Sequence, residues 1–597
     1  MSVDSIKKVL QGGEFLIKNA VAADVFTPDD LNEEQRMFGA MAEDFVKTRI
    51  FPNIEKIDKM EPGLMEELLH EAGTLGLLGA TLPQEYDGMG VNLNTETLLS
   101  EKLGLSHSFG VAVAAHTGIG TLPILYFGTE EQKKKYLPHL AVGNLKAAYC
   151  LTEPGSGSDA LAAKSKAILS DDGKFYHITG QKMWITNSGF ADIFIVFAQV
   201  DGDKFTGFVI DAKSEGITLG AEENKMGIKG SSTRQVFFEN VKVPAENVLG
   251  EIGKGYKIAF NVLNIGRYKL CAMVMGGSKA ANTQSIKYAN ERVQFKQTIA
   301  HFGAIKHKLA QQAILSFACE SATYRVSNLI KTKVDELKAE GKSPEIAKLL
   351  AAEEYAIECA ALKVMGSETL DYCVDEMVQV YGGYGFSEEY PAARSYRDAR
   401  INRIFEGTNE INRLLAVDML LRRAMKGQID IIGPAMKVQQ ELMAIPDFGG
   451  EEDETFFAKE KKAVVQAKKA ILMIAGAAVQ KYMQDLENQQ EIIMCLADMS
   501  FDLFAAESAI LRVEKKVNRS SEAACQEEIA IAQVFLNDAL EKMHSIGKTA
   551  IAAIAEGDMQ RMMLIGLKRF TKFGPLNTIE LRRKIADKLI SENKYCF

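Results

Sequence analysis

Hydrophobic and polar positions along the chain follow two different periods. From about residue 31 to 147, apolar residues recur at spacings of three and four, which predicts amphipathic helices. Between residues 148 and 255, short β-branched and aromatic segments alternate, with Gly, Asp and Asn turns between them. This pattern predicts a small all-β domain. From residue 256 to 430 the helical period returns, in long runs rich in Ala, Leu, Lys and Glu.

The two ends of the chain and one interior stretch complete the division. Residues 1–30 predict a loose N-terminal arm, and residues 431–454 carry Pro, Gly and a run of acidic residues that predict a linker. Residues 455–597 return to a helical period. The sequence therefore predicts an α+β multidomain fold that is mostly α. Its order is an N-terminal helical domain, a middle β domain, a C-terminal helical domain and an additional C-terminal helical domain.

Length and composition agree with several soluble domains. At about 100–200 residues per domain, 597 residues predict three or four domains. The chain is 47% hydrophobic and 25% charged, and its net charge of −9 argues against a general nucleic-acid binder. Residues 561–597 hold nine Lys or Arg against three Asp or Glu. Such a tail is typical either of a solvated helix face or of a contact with an anionic surface.

The cysteines and histidines predict no metal site. None of the eight Cys residues forms a CxxC pair, and the eight His residues include no HExxH motif. Scattered cysteines in a long chain are typical of a reducing compartment. The N-terminus lacks the apolar core of a secretory signal and the Arg-rich character of a mitochondrial presequence. We therefore expect a cytoplasmic, bacterial protein.

The longest apolar run bears on membrane attachment. It covers residues 470–479 and is flanked by lysines. Ten residues are too few for a spanning helix, which needs about 20. A peripheral contact with the inner membrane through the C-terminal region is therefore a hypothesis.

Two polar segments of the β domain are candidates for contact with a cofactor. Residues 149–159 collect Gly, Ser and Thr, whose backbone N–H groups and hydroxyls can hold a phosphate or the edge of a flavin ring. The alternative is a plain turn between domains. Residues 184–187 contain the only Trp of the chain, and an aromatic face beside the Thr186 hydroxyl suits a flavin. The alternative there is a Trp in the core of the sheet.

Two further motifs lie in the second helical domain. Residues 381–386 place three Gly in four positions after a helix that contains Gln379, which permits close approach of a ligand. A helix C-cap is the alternative. Glu406 lies between apolar residues and Gly-Thr, just before a new helix. An apolar setting raises the pKa of a carboxyl group and makes it a stronger base, whereas the alternative makes Thr408 or Asn409 a plain helix cap.

These four motifs, in this order, resemble those of the acyl-CoA dehydrogenase family over roughly residues 30–425. The resemblance implies a helical domain, a small β-barrel domain and a four-helix bundle. The segment FEGTNEINR at residues 405–413, the segment FKQTIAHFGAIKHKLA at residues 295–310 and the additional helical block are most similar to the very-long-chain branch.

The resemblance implies FAD as the cofactor, held between the β domain and the bundle. Some contacts come from the partner subunit in this family, which implies a homodimer or a larger homo-oligomer. The residues that match the family's flavin contacts are Leu151, Thr152, Gly157, Ser158, Trp184, Thr186, Arg292, Phe295, Gln379, Val380, Gly382, Gly383, Thr408 and Glu410.

Glu406 matches the family's general base, which removes the α-proton of an acyl-CoA while the β-hydrogen leaves as hydride to flavin N5. The implied product is a trans-2-enoyl-CoA in fatty acid β-oxidation, with electrons passed to electron-transferring flavoprotein. Some members carry the base at the position that is Gly266 here. Lys296 and Gly303 depart from the residues that many members have. The residues that match substrate contacts are Ser158, Asn264, Arg267 and Gly407.

Several alternatives stay open. Small residues at positions 107–115 leave room for a long acyl tail, or they serve close helix packing. We expect a long-chain substrate mainly because of the additional helical block. An acyl-CoA oxidase and a non-catalytic assembly or scaffold paralogue are the alternative functions. An intact Glu406 and intact flavin loops argue against the scaffold.

Overall fold

The computed structural model describes residues 9–443 and 455–597. The N-terminal domain is helical, as the sequence predicts. Its first helix begins where Asn32 accepts from the Gln35 N–H at 2.8 Å and the Gln35 side chain accepts from the Asn32 N–H at 3.0 Å. Its helices are α1 (Glu33–Phe45), α2 (Ile54–Asp58), α3 (Leu64–Thr74), α4 (Leu93–Leu103), α5 (Ser108–Ala114), α6 (Leu122–Phe127) and α7 (Glu130–Ala141).

The middle domain is a β-sheet, which confirms the predicted β domain. Its strands are β1 (Ala147–Cys150), β2 (Lys166–Leu169), β3 (Phe175–Thr186), β4 (Ile193–Val200), β5 (Lys204–Asp211), β6 (Ile217–Leu219), β7 (Thr233–Pro244) and β8 (Val248–Leu249). They are hydrogen-bonded in the order β6-β7-β3-β2-β4-β5-β8, and β1 pairs in parallel with β4. The resemblance implies a small β-barrel domain, and among the described strands the hydrogen-bonded order runs from β6 to β8 without closing on itself. Its terminal strands β6 and β8 have only three and two residues, and neither pairs with the other.

The second helical domain is a bundle organised by one helix of 37 residues. Its helices are α8 (Gly255–Glu291), α9 (Gly303–Ala339), α10 (Pro344–Glu354), α11 (Ala356–Tyr381), α12 (Pro391–Arg400) and α13 (Asn409–Met425). The long helices α8, α9, α11 and α13 pack together around a core rich in Ala, Leu and Cys. A small hairpin of β9 (Val293–Gln294) and β10 (Gln297–Thr298) follows α8.

Within the described part of residues 431–597, six further helices form the additional C-terminal domain. They are α14 (Ile432–Met443), α15 (Ala458–Tyr482), α16 (Gln490–Arg519), α17 (Gln526–Ile554), α18 (Gly557–Phe570) and α19 (Thr578–Glu592). Helix α14 occupies the first half of the predicted linker at 431–454, because Val438 and Leu442 pack into the apolar core. The rest of that linker, 444–454, lies outside the described residues.

The additional helices are joined to the bundle by buried ion pairs. Arg325 of α9 donates to Glu507 of α16 at 2.8 Å, and Arg512 of α16 donates to Glu320 of α9 at 2.7 Å. Lys468 of α15 also donates to Glu507, at 2.6 Å. Buried charges are tolerated only when they are paired, so these contacts fix how the two sets of helices meet.

The N-terminal arm is packed rather than loose. The Gly13 N–H donates to the Glu358 carboxylate at 2.7 Å, and the rings of Phe15 and Phe504 lie 4.8 Å apart between centroids. Lys515 donates to Asp30 at 2.7 Å. Two apolar side chains at positions 15 and 16 draw residues 9–30 onto the additional helices.

Two helical stretches are long and apolar enough to cross a membrane by length and composition alone. They are Ser108–Phe127 and Ala458–Asn488, and 78% and 56% of their apolar windows are buried inside the protein. Core helices of soluble proteins pass the same test. Neither stretch therefore carries weight as a membrane span.

A close approach of two helices yields a stability prediction. A Cβ at Gly276 of α8 would lie 2.0 Å from the backbone carbonyl oxygen of Glu101 in α4. We expect Gly276→Ala to lower the free energy of unfolding by about 1–3 kcal/mol, since backbone must move to admit the methyl group. Chemical denaturation measures this change. The matched control is Gly476→Ala in α15, where the nearest atom is 3.7 Å away and Ala should be neutral or stabilise by up to about 1 kcal/mol. Equal stability of the two variants would contradict the prediction.

Candidate active site

Glu406 lies in the turn between α12 and α13, and its carboxylate faces α8. Its backbone has a φ of 58°, in the left-handed region. A Cβ at Gly266 would lie 2.7 Å from Oε2 of Glu406, so only glycine leaves room for the carboxylate there. That Oε2 atom is buried and has no hydrogen-bond partner. An unpartnered buried carboxylate oxygen is unfavourable unless it is reserved for a ligand or a proton.

The turn that carries Glu406 is held by its backbone. Arg267 Nε donates to the Glu406 carbonyl oxygen at 3.2 Å. The Asn412 amide donates to the Gly407 carbonyl at 2.8 Å and to the Thr408 carbonyl at 3.0 Å. The Thr408 hydroxyl accepts from the Ile411 N–H at 3.3 Å and so caps α13. These contacts leave the Glu406 carboxylate without a protein partner while the backbone behind it is fixed.

The burial and the charges around Glu406 bring the pKa of its carboxyl group close to neutral pH. Burial raises the pKa of Glu406 to about 7, against the opposing pull of Arg267 and Lys363. Burial also lowers the pKa of Lys363 to about 7, and the nearby Glu406 carboxylate opposes that shift. A carboxylate with a pKa near the working pH is suited to general base catalysis.

An apolar cavity of about 160 Å³ adjoins Glu406. The ion pair of Lys269 and Glu96 contributes to one wall. The segment 107–115, whose small residues were expected to leave room for an acyl tail, supplies part of the lining. Its first residue, His107, instead contacts Asp398 at 2.9 Å. The other lining residues are mostly small or aliphatic and include Leu77, Leu78, Ala80, Leu99, Leu103, Val111, Val113, Ala114, Ala115, Gly118, Ile119, Gly266, Met273 and Phe405.

One group of the predicted flavin residues gathers beside this cavity. Leu151 and Thr152 follow β1, and the Thr152 carbonyl accepts from the Met183 N–H at 2.9 Å, which brings that loop to the end of β3. Trp184 has a φ of 57° and a side chain that is 59% exposed, and Thr186 lines the cavity with Glu406. Trp184 is therefore not in the core of the sheet. The structure brings the ends of β1 and β3 together with Glu406.

A buried ion pair supports one side of the loop between β1 and β2. Glu153 accepts from Lys182 at 2.7 Å and from the N–H groups of Lys164 and Ser165 at 2.6 and 3.0 Å. Gly157 and Ser158 lie on the exposed side of this loop, and no atom stands within 4 Å of where a Gly157 Cβ would be. The loop thus has a fixed base and an open upper surface.

A second group of predicted flavin residues lies elsewhere on the bundle. Arg292 follows α8 and stacks over the Tyr384 ring at 5.3 Å, which places it beside the 382–386 turn. Arg292 lies 25 residues after Arg267, and at about 1.5 Å per helical residue the two are roughly 37 Å apart. The exposed members near this end are Phe295, Gln379, Gly382 and Gly383, while Val380 is buried. This group does not join Glu406 within one chain.

The remaining predicted residues surround the Glu406 turn. Asn264 is buried and accepts from Arg267 Nη1 at 2.8 Å. Gly407 has a φ of 84°, and Glu410 lies exposed in the first turn of α13. Asn264, Arg267 and Gly407 are therefore close to the predicted base, although two of the Arg267 nitrogens already donate within the protein.

The sequence analysis did not single out Lys363 or Asn412 and considered Asn409 only as a helix cap. Lys363, Asn409 and Asn412 are fully or almost fully buried within or behind the Glu406 turn. The one available signal was Lys363, a lone cation within the apolar stretch of α11. Within residues 9–443 and 455–597, no group of three or more His, Cys, Asp or Glu side chains is arranged to hold a metal ion.

Comparison with known proteins decides the family. Models of acyl-CoA dehydrogenase domains match the chain at residues 32–144 (N-terminal domain), 148–241 (middle domain), and 253–421 and 466–569 (C-terminal domains). A probable acyl-CoA dehydrogenase of Bacillus subtilis (strain 168) is 45% identical over 590 residues, which are 98% of each chain. The chain belongs to the acyl-CoA dehydrogenase family.

Two further similarities refine its place among acyl-CoA dehydrogenases. The mitochondrial very long-chain specific acyl-CoA dehydrogenase of Rattus norvegicus is 34% identical over 537 residues, 84% of this chain and 78% of that one. The crystal structure of an acyl-CoA dehydrogenase complexed with FAD from Bacillus anthracis superposes with a TM-score of 0.95 at 46% identity. It covers 99% of this chain and 100% of its own. The additional helices of this acyl-CoA dehydrogenase are thus shared with solved and curated relatives.

The electrostatic arrangement around Glu406 gives a direct prediction. Lys363→Met removes a cation that favours the carboxylate, so we expect the pKa of Glu406 to rise above its value of about 7. Infrared difference spectra recorded against pH measure this value, with the carboxyl band identified by its loss in Glu406→Gln. Lys269→Met is the control, since that cation pairs with Glu96 in the cavity wall. An unchanged or lower pKa in Lys363→Met would refute the assignment.

Proposed function

We propose that this enzyme oxidises long-chain acyl-CoA thioesters at the α,β bond to trans-2-enoyl-CoA, with Glu406 as the base and FAD as the cofactor. The observation that carries the proposal is the Glu406 carboxylate at an apolar cavity, with one buried oxygen that has no protein partner. A carboxylate of this kind can take a proton from a carbon atom held against it. Gly266 offers no competing base on α8.

The residues around the cavity fit the proposed cofactor. The Thr186 side chain lines the cavity, and the exposed face of Trp184 and the open upper surface of the 151–158 loop belong to the same end of the β domain. A flat aromatic surface beside hydroxyl and backbone donors suits the flavin ring. When bound, FAD supplies the acceptor for the hydride that leaves the β-carbon.

The chain's own residues fix the base and exclude water. Arg267 and Asn412 hold the backbone carbonyls of the Glu406 turn, so the carboxylate meets a bound substrate with little reorganisation. The lining of the cavity is mostly aliphatic. Proton removal from carbon is favoured when the base is shielded from bulk water.

Three features support a long-chain substrate and a protein electron acceptor. The cavity is lined by small and aliphatic side chains, which suit an extended alkyl tail. The rat relative that matches over 84% of this chain is specific for very long chains. The exposed Trp184 marks the edge at which we propose that electron-transferring flavoprotein collects the electrons.

A homodimer completes the proposed site. The 382–386 turn and the Arg292 region lie about 37 Å along α8 from the Glu406 turn. The Phe295 side chain beside them is 88% exposed. We propose that these residues reach the cofactor of a second subunit, since they are too distant from Glu406 of their own chain.

The base assignment is tested by anaerobic titration. We expect palmitoyl-CoA to bleach the flavin of the wild-type protein, and Glu406→Gln to slow that bleaching about 10²–10⁴-fold, since the amide cannot accept the α-proton. The flavin content should stay unchanged, and Glu340→Gln, an exposed position after α9, is the control. Retained bleaching in Glu406→Gln would refute the base. Preference for octanoyl-CoA would refute the long-chain substrate, and stoichiometric peroxide in air would favour an oxidase.

The placement of the cofactor is tested by its removal. Trp184 is the only Trp, so its emission reports this one site. We expect acrylamide to quench the emission readily in FAD-free protein and more weakly after FAD is restored, since the ring would cover the exposed indole. Trp184→Phe confirms the source of the signal. Equal quenching in both states would contradict the placement.

A further inference from the structure

A continuous line of polar contacts leads from the additional helices to the turn that carries Glu406, and its members Asp498 and Glu368 are partly exposed. It begins at Asp498 of α16, which accepts from Arg413 Nε at 2.7 Å. Arg413, on α13, also donates to the Glu368 carboxylate of α11, with 2.8 Å between Nη2 and Oε1. Arg413 is thus shared between one carboxylate of the additional domain and one of the bundle.

The line continues from Glu368 to the first residue of α13. The Asn409 amide donates to Glu368 Oε1 at 3.0 Å and to the Ser367 hydroxyl at 3.0 Å. Its carbonyl oxygen accepts from Lys363 Nζ at 2.7 Å. Asn409 is 1% exposed and lies three residues after Glu406. The amide therefore holds α11 and the start of α13 in one register.

Arg413 is also the neighbour of the residue that holds the Glu406 turn. Asn412 donates to the carbonyls of Gly407 and Thr408. A shift of Arg413 would carry Asn412 with it, because both belong to one helical turn. The two flanking carboxylates raise the pKa of Arg413 against the effect of burial, so it stays charged and keeps both contacts.

We propose that Asp498 is a positioning residue for Glu406 and acts through Arg413, Glu368 and Asn409. The additional domain then does more than cover the bundle, because it sets the position of the first turn of α13. The inference rests on the proposed function, in which Glu406 is the base. Asp498 touches neither the cavity nor the predicted cofactor residues.

The same series of contacts also affects the charged groups that face Glu406. These are Arg267 on α8 and Lys363 on α11, with the Tyr149 hydroxyl of β1 as the neighbouring neutral group. Lys363 is held by Asn409, so a displaced Asn409 weakens the hold on that cation. The carboxylate then loses part of its stabilisation, which moves its deprotonation to higher pH.

The experiment compares Asp498→Leu with two other variants of the full-length holoenzyme. Asp498→Glu keeps the charge and restores an acceptor, and Glu514→Gln removes an ion pair within the additional domain, to Lys461 at 2.8 Å. Steady-state rates with palmitoyl-CoA are measured against pH, together with flavin content. We expect Asp498→Leu to lower kcat about tenfold, since small misplacements of a catalytic group are costly, with little change in KM. Its acid limb of kcat/KM should move to higher pH, Asp498→Glu should recover most of kcat, and Glu514→Gln should match the wild type.

The outcomes separate this inference from the proposed function. If Glu406→Gln is inactive while Asp498→Leu keeps the wild-type kcat and pH profile, the positioning role is overturned and the base stands. If Glu406→Gln retains activity, the proposed function fails first. Should Asp498→Leu not fold, Asp498→Asn keeps the volume and one acceptor oxygen, and its pH profile decides in the same way. An equal loss of kcat in Glu514→Gln would also overturn the role, because it would show a general loss of stability.

Discussion

A carboxylate that must stay unpaired and buried is the constraint on which this structure depends. Free energy favours giving such a group a hydrogen-bond donor or letting it reach water. The side-chain donors near Glu406 are directed at other acceptors: Arg267 Nε at its backbone carbonyl, Arg267 Nη1 at Asn264, and the Asn412 amide at the following turn. Gly266 on α8 supplies the empty space that a larger side chain would fill. The carboxylate is therefore reactive because the protein gives it no hydrogen-bond partner.

Helix α8 connects the Glu406 site to a distant part of the same subunit. Its first half borders the cavity, and its end carries the hairpin and the stacked Arg292. Because an α-helix of this length is a rigid spacer, the two halves of the predicted cofactor site are held about 37 Å apart along α8 of one subunit. In the proposed homodimer, the second subunit brings them together. The same helix meets α4 so closely that Gly276 has no room for a side chain.

Local sequence patterns predicted the secondary structure and the helix cap of this protein, but not its long-range contacts. Hydrophobic periodicity and turn residues indicated the helical and β domains, and the apolar setting of Glu406 before Gly-Thr indicated a candidate base. A helix cap at Thr408 or Asn409 was the alternative, and Thr408 does cap α13. The resemblance implied a barrel. Whether the edge strands of a sheet pair with each other depends on tertiary contacts, which a local sequence pattern does not show. The roles of Lys363 and Asp498 depend on partners 46 and 85 residues away in sequence, so no local motif announces them. The packed arm and α14 were missed because their apolar residues matter only once the additional helices are in place.

The burial of α9 has a consequence for how such a chain can change over evolutionary time. Glu320 and Arg325 have their partners Arg512 and Glu507 on the additional helices. Loss of those helices would leave Glu320 and Arg325 without their partners and would expose a long apolar face of α9 at the same time. A truncation that removed α16 would therefore destabilise the remaining helices. A shorter form could persist only if another surface, such as a neighbouring subunit, arrived in the same step to cover α9.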